Sequence, residues 1–317
     1  MPDDDDDART AALARPISFE ARHGAGHDRA LVLGGGGLWF VAWQVAYLDG
    51  LMKRGVPVES ADLVVGTSAG SLVASIVSAG RLKRVAGQVE FLARVPALLG
   101  VLSGDGELKP SQQRAVDLFG AATDAEPETI RHIGHAALAA QAPPPDRLRR
   151  SVAAVLAIRH WPKALHTTAV DAFTGERLVV TADSGISVAR AAAASSSVPG
   201  IFSPQPLHDR RAMDGGVSGT GTHSDLAAGA GRALVLSLGA HAPSTDAGMT
   251  TAPGSREREL EALRASGTPA LLRGPDTFDL SALMDPKQVA AAFEAGDARA
   301  EQDAAEVAEH WGLSGLR

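Results

Sequence analysis

Two short apolar runs that each break at glycine set the pattern of this chain. Ala30-Leu31-Val32-Leu33 runs into Gly34-Gly35-Gly36-Gly37, and Leu63-Val64-Val65 runs into Gly66-Thr67-Ser68-Ala69-Gly70. Unbroken apolar runs of this length predict strands buried on both faces, because a half-exposed strand would alternate with polar residues. A helical stretch follows each run. Val41 through Leu48 continues until Gly55-Val56-Pro57, and Ser71 through Val77 is small and apolar enough to lie close against a sheet. Strand, helix, strand, helix with short links predicts an α/β fold: three layers, with helices on both faces of a mainly parallel sheet.

From Arg81 to about Arg159 the strand signals vanish. Val85, Val89, Leu92 and Val95 recur at helical spacing, Thr123-Asp124-Ala125-Glu126 reads as a capping box, and Pro143-Pro144-Pro145 interrupts the run. This predicts a helical insertion over about 81–159. Strands resume at Leu165 to Val170 and at Leu178-Val179-Val180, with Thr174-Gly175 as a hairpin turn. Ala189 to Ala194 predicts a small-residue helix that hands over to a loop, Ser195-Ser196-Ser197-Val198-Pro199-Gly200. Arg211-Ala212-Met213 leads into Asp214, and Ala233 to Leu238 is the last strong strand. His241 to Ser255 reads as loop and Pro286 to Trp311 as helix. The expected organisation is a weakly structured acidic tail over 1–28 and a single domain over 29–317.

The chemistry sits where those runs break. A serine between glycines at a strand-to-helix turn is lifted clear of the sheet edge, since only glycine tolerates the crowding on either side. The helix N-terminus beneath it favours developing negative charge. Four successive glycines expose backbone N–H groups that can form an anion or oxyanion nest. A dinucleotide fingerprint would need its third glycine at Trp39 or Phe40, and a Walker loop would need Gly-Lys-Ser/Thr to follow, so a phosphate cofactor is not expected. Asp214 precedes Gly215-Gly216, a tight turn that can aim a carboxylate at one spot or simply let it cap its own backbone.

These motifs, with Ser197-Val198-Pro199-Gly200 and Met213-Asp214-Gly215-Gly216, occur in the order seen in patatin-like phospholipases. The resemblance covers roughly residues 29 to 239. It implies a patatin-like α/β/α fold and a lipid acyl hydrolase with Ser68 as nucleophile and Asp214 as base. It also implies an oxyanion hole from Gly34, Gly35, Gly36 and Gly37. Patatin-like chains usually place another glycine, often after a basic residue, just beyond the glycine run, whereas this chain reads Leu38-Trp39-Phe40-Val41. Trp39 and Phe40, together with Pro199, are candidate substrate-pocket residues; the bulky pair could instead be core, or could obstruct the site. Two other functions stay open on the same fold: an acyl-binding protein without turnover, and an acyltransferase. His160, His166, His208, His223 and His241 all follow Ser68, yet none has a triad setting. His223 is the best placed of them, and is expected to cap a helix starting near Ser224.

Composition narrows the partners. A formal net charge of -7 disfavours nucleic acid, and Arg147, Arg149 and Arg150 read as a solvated helix face. There is no cysteine, and no His and carboxylate group has ligand spacing, so neither a disulfide nor a metal is expected. The run Asp3 to Asp7 is the opposite of a secretory n-region, and no apolar stretch approaches a membrane span. The expectation is a cytoplasmic protein without cofactor that acts on lipid or ester substrates, any membrane contact being peripheral.

Overall fold

The computed structural model describes residues 15–16, 23–93, 107–241, 252 and 254–313. Its strands are β1 Arg15–Pro16, β2 Arg29–Leu33, β3 Leu63–Gly66, β4 Leu165–Asp171, β5 Arg177–Val180, β6 Gln205–Leu207, β7 Arg210–Asp214, β8 Arg232–Leu236 and β9 Ala270–Arg273. They form one sheet in the order β1-β5-β4-β3-β2-β8-β9, with the β6–β7 hairpin joined to β4. β4, β3, β2, β8 and β9 run parallel, while β1, β5 and β7 pair antiparallel.

The apolar runs are continuous because both faces of the sheet are covered. Leu31 and Leu33 of β2 pack into one cluster and Ala30 and Val32 into another, as side chains one residue apart must. The first cluster holds α1 Gly37–Lys53, α2 Ala69–Ser78 and the long α9 Val289–His310, through Trp43, Val73, Val307 and Trp311. The second holds the one-turn segment Ser224–Ala227 and Leu263 of α8 Ser255–Ala265. Between α2 and β4 come α3 Leu82–Ala93, α4 Pro110–Gly120, α5 Pro127–Ala139 and α6 Pro145–Leu156; α7 Val188–Ser195 follows β5.

One edge of β4 positions the site. β3 pairs with it in parallel as far as Gly66 opposite Thr167, then leaves the sheet. β7 takes over the same edge running the other way, with Asp214 opposite Ala169. The C-terminal ends of two strands distant in sequence therefore meet end to end, with Ser68 just beyond one and Asp214 closing the other.

Several expectations need correcting. Thr123 does not cap a helix: Asp124 accepts the Glu126 N–H at 3.0 Å in a local turn, and α5 starts at Pro127. Within the expected tail, Arg15 and Pro16 pair with Leu178 and Val179 of β5. β6, β9 and α8 are additions. The acidic run, Val95 and most of His241 to Ser255 lie outside the described residues.

Close packing at the elbow depends on absent side chains. A Cβ on Gly70 would lie 2.0 Å from the Leu33 carbonyl oxygen, and one on Gly66 2.6 Å from the Ala74 Cβ. Gly87, exposed within α3, has nothing within 4 Å. Gly70→Ala is therefore expected to lower stability by about 3 kcal/mol or more, and Gly87→Ala to raise it by up to about 1 kcal/mol through helix propensity. Urea unfolding of the two variants beside the wild type checks both signs.

Candidate active site

β3 ends at Gly66, and the chain turns into α2 through Ser68, whose φ of 51° and ψ of −120° lie outside the regions a serine ordinarily occupies. Such a backbone costs about 1–3 kcal/mol and persists only where its surroundings fix it. Here three serines do so. The Ser68 N–H donates to Ser195 Oγ at 2.9 Å, and the Ser68 carbonyl accepts from the hydroxyls of Ser71 at 2.6 Å and Ser196 at 3.3 Å.

Asp214 arrives from the opposite side. Its N–H donates to the Ser197 carbonyl at 3.0 Å, which ties the end of β7 to the loop after α7. Its Oδ1 accepts the Gly216 N–H at 2.8 Å, and its Oδ2 accepts the Ser68 hydroxyl at 2.7 Å. The turn-capping bond and the serine contact thus coexist, one on each oxygen. The carboxyl is buried. Desolvation raises its pKa to about 6, against the lowering effect of the Ser68 and Gly216 hydrogen bonds.

The glycine run lies beside Ser68: a Cβ on Gly35 would fall 3.2 Å from the Ser68 Cβ. Its amides are not equivalent. Gly34 N–H donates to the Leu236 carbonyl and Gly35 N–H to the Gly221 carbonyl, both at 2.9 Å. Among the described residues nothing accepts from the N–H of Gly36 or Gly37. Gln44, wholly buried, holds the loop by donating to the Gly34 carbonyl at 2.8 Å. Phe40 is fully buried and stacks on Trp43, which stacks on Tyr47, so it belongs to the core of α1. Trp39 is buried too, and its N–H donates to the Leu283 carbonyl at 3.0 Å. Pro199 is buried in the turn whose Ser197 holds Asp214.

His223 is not the helix cap expected of it. Its side chain makes no cap bond but reaches the hydroxyls of Thr67 and Ser218, and no bond joins it to Ser68 or Asp214. Burial and the Arg177 charge hold its pKa well below the ordinary imidazole value. Glu259 accepts from the His223 and Ser224 N–H groups and from the Thr222 and Ser224 hydroxyls. Among the described residues no cluster of His, Cys, Asp or Glu could hold a metal ion, and no helix is long and apolar enough to cross a membrane.

Residues 31–224, more than half of the chain, match the family described as patatin-like phospholipase. The chain belongs to that family. No curated protein sequence matches it closely. Among solved structures, VipD from Legionella pneumophila is 14% identical with a TM-score of 0.42, covering 88% of this chain and 67% of its own. The type III effector protein ExoU is 17% identical with a TM-score of 0.33, covering 89% of this chain and 54% of its own. ExoU in the ExoU–SpcU complex of Pseudomonas aeruginosa is 17% identical, with a TM-score of 0.34 and 53% of that chain covered. This patatin-like chain thus spans about half the length of the ExoU chains.

A carboxyl whose pKa is raised on folding, here from 3.8 to about 6, binds more protons in the native state than in the unfolded one. Stability linked to it is intact below the unfolded pKa and is lost as pH rises through the folded one. Asp214→Asn is expected to match the wild type near pH 4 and to exceed it by up to about 3 kcal/mol above pH 6. Denaturant titrations at the two pH values measure the difference.

Proposed function

We propose that this chain hydrolyses the acyl ester bonds of lipids by a Ser68–Asp214 pair through a covalent acyl-enzyme. The observation that carries this reading is the 2.7 Å hydrogen bond from the Ser68 hydroxyl to a desolvated carboxylate. A carboxylate is an inferior base to imidazole at its ordinary pKa. Raising it toward 6 brings it closer to the working range while leaving it mostly ionised at neutral pH. As Ser68 Oγ attacks the ester carbon, its proton passes to Asp214 and the carbonyl oxygen gains the charge. The Gly36 and Gly37 amides are the donors left in the glycine run to receive that oxyanion. Collapse expels the alcohol, which takes the proton from Asp214. Water then attacks the acyl-enzyme, giving one proton to Asp214, and Ser68 recovers it as the acid departs. Phe40 acts as core behind this loop, and Trp39 and Pro199 support its borders.

A lipid aggregate also needs a surface to meet. The segment after β9 comes back against Gly37 and Trp39, just beyond the carboxyl end of β2, the end of the sheet where open α/β folds bind ligands. Leu283 lies against the glycine run there, while Leu280 and Met284 are 60% and 47% exposed. Acidic Asp279 and Asp285 flank them, while Asp276 is paired with Arg299, which suits an uncharged or zwitterionic surface over an anionic one. Peripheral contact through this segment follows.

Ser68→Ala is expected to abolish ester hydrolysis and fluorophosphonate labelling with the fold retained, and Asp214→Asn to lower kcat by roughly 10⁴-fold. Because the base must be ionised, kcat/KM should fall below a pH of about 6 and level off above it. Full activity in the Ser68→Ala protein would end this assignment.

Leu280→Ser should lower hydrolysis of phosphatidylcholine vesicles by about tenfold, the worth of burying most of one leucine. A soluble short-chain ester should be cleaved at the wild-type rate. Equal losses on both substrates would place Leu280 in the fold instead of at the lipid surface.

A further inference from the structure

Behind the Ser68–Asp214 pair runs a buried polar string that the steps above leave unused. His223 is fully buried, with Nδ1 3.1 Å from the Thr67 hydroxyl and Nε2 3.2 Å from the Ser218 hydroxyl. Thr67 precedes the nucleophile. The Ser218 hydroxyl donates at 2.9 Å to the carbonyl of Gly215, the residue after Asp214. One imidazole therefore spans from the elbow that carries the serine to the turn that carries the carboxylate. We propose that His223 is a positioning residue, a bridge of fixed length between Thr67 and Ser218 that sets the separation of the Ser68 hydroxyl and the Asp214 carboxylate; this rests on the Ser–Asp reading above.

The topology creates the need for such a bridge. β3 and β7 meet end to end on β4, and among the described residues no backbone hydrogen bond joins 66–70 to 212–218. Gly215 packs close to the Thr67 methyl, as a Cβ there would lie 3.0 Å from Thr67 Cγ2. Packing limits approach but does not fix direction. A hydrogen-bonded string fixes both.

Its polarity follows from the nearest acceptor of each hydroxyl. The Gly215 oxygen accepts the Ser218 hydroxyl proton, so Ser218 Oγ meets His223 as an acceptor and Nε2 carries the imidazole proton. Nδ1 is then bare and, at 3.1 Å, is a closer acceptor for the Thr67 hydroxyl than the Thr222 carbonyl at 3.3 Å; the Thr67 and Thr168 hydroxyls also meet at 2.8 Å. Ser218 also meets the Thr220 hydroxyl at 3.1 Å, and with the ring neutral each of its two nitrogens has one hydroxyl partner. Glu259 anchors the histidine by accepting its backbone N–H at 3.0 Å while holding Thr222 and Ser224 on either side. His223 takes the left-handed conformation, with φ of 56° and ψ of 40°, and its bond to Glu259 holds it there.

The test cuts the string at each end with near-isosteric changes, Thr67→Val and Ser218→Ala, and follows kcat, KM and the unfolding midpoint on a soluble short-chain ester. Each is expected to lower kcat by about 10- to 10²-fold with KM within about twofold, as small misplacements of reacting groups do. The double variant should lose no more than about threefold beyond the worse single one, because both changes break one connection. In the wild type, ¹⁵N NMR of His223 should find Nε2 protonated and Nδ1 bare at neutral pH, a readout that needs no variant to fold. Losses that multiply, a kcat unchanged in folded variants, or protonation at Nδ1 would each overturn the bridge. Failure of the underlying reading looks different: the wild type itself would neither turn over esters nor take the fluorophosphonate label.

Discussion

Everything about this site depends on two strands sharing one edge of a third. Neither the elbow nor the aspartate turn contains the other's partner, and they lie 146 residues apart in sequence. What brings them together is the register of β4, which takes β3 up to Thr167 and β7 from Ala169. The parallel direction of one and the antiparallel direction of the other make their carboxyl ends converge. Loops then leave the sheet at the same place, and the glycine run at the end of neighbouring β2 completes the enclosure.

The site holds its geometry against local preference. Ser68 adopts a backbone that serine avoids, and the hydroxyls of Ser71, Ser195 and Ser196 surround its amide and carbonyl. Asp214 carries its charge in a place that disfavours it, with one hydroxyl and one amide among the described residues to stabilise it. Both departures raise the energy of the folded chain. Both are tolerated because the clusters on the two faces of the sheet are large and continuous, running from Trp43 and Trp311 on one side to Leu226 and Leu263 on the other.

Ser68 and Asp214 could be picked out from the chain alone because glycines crowd around each, and glycine in a strand-ending turn has few reasons to be there. The division of labour within the glycine run could not. All four residues look alike in sequence, yet Leu236 and Gly221, far along the chain, claim the first two amides. The serines after α7 marked a break, but nothing in Ser195-Ser196-Ser197 tells which hydroxyl turns toward the elbow. β9 was illegible for another reason: four residues at a sheet edge, only the last of them buried, carry little pattern. α8 reads as charge because its apolar stripe is narrow, although buried Glu259 on that helix organises the loop of His223.

The end-to-end meeting on β4 also gives the site a parity. Side chains along β7 alternate between the faces of the sheet, so the side on which the Asp214 carboxylate emerges is fixed by an odd or even count of residues from the β6–β7 hairpin. Adding or deleting one residue within β7 would barely change composition or length, yet it would exchange the faces of Ala212 and Met213, which pack in different clusters, and send the carboxylate to the wrong layer. Changes in pairs would preserve it. A change of length in the loops around this sheet leaves that count alone, while β7 is held to its parity.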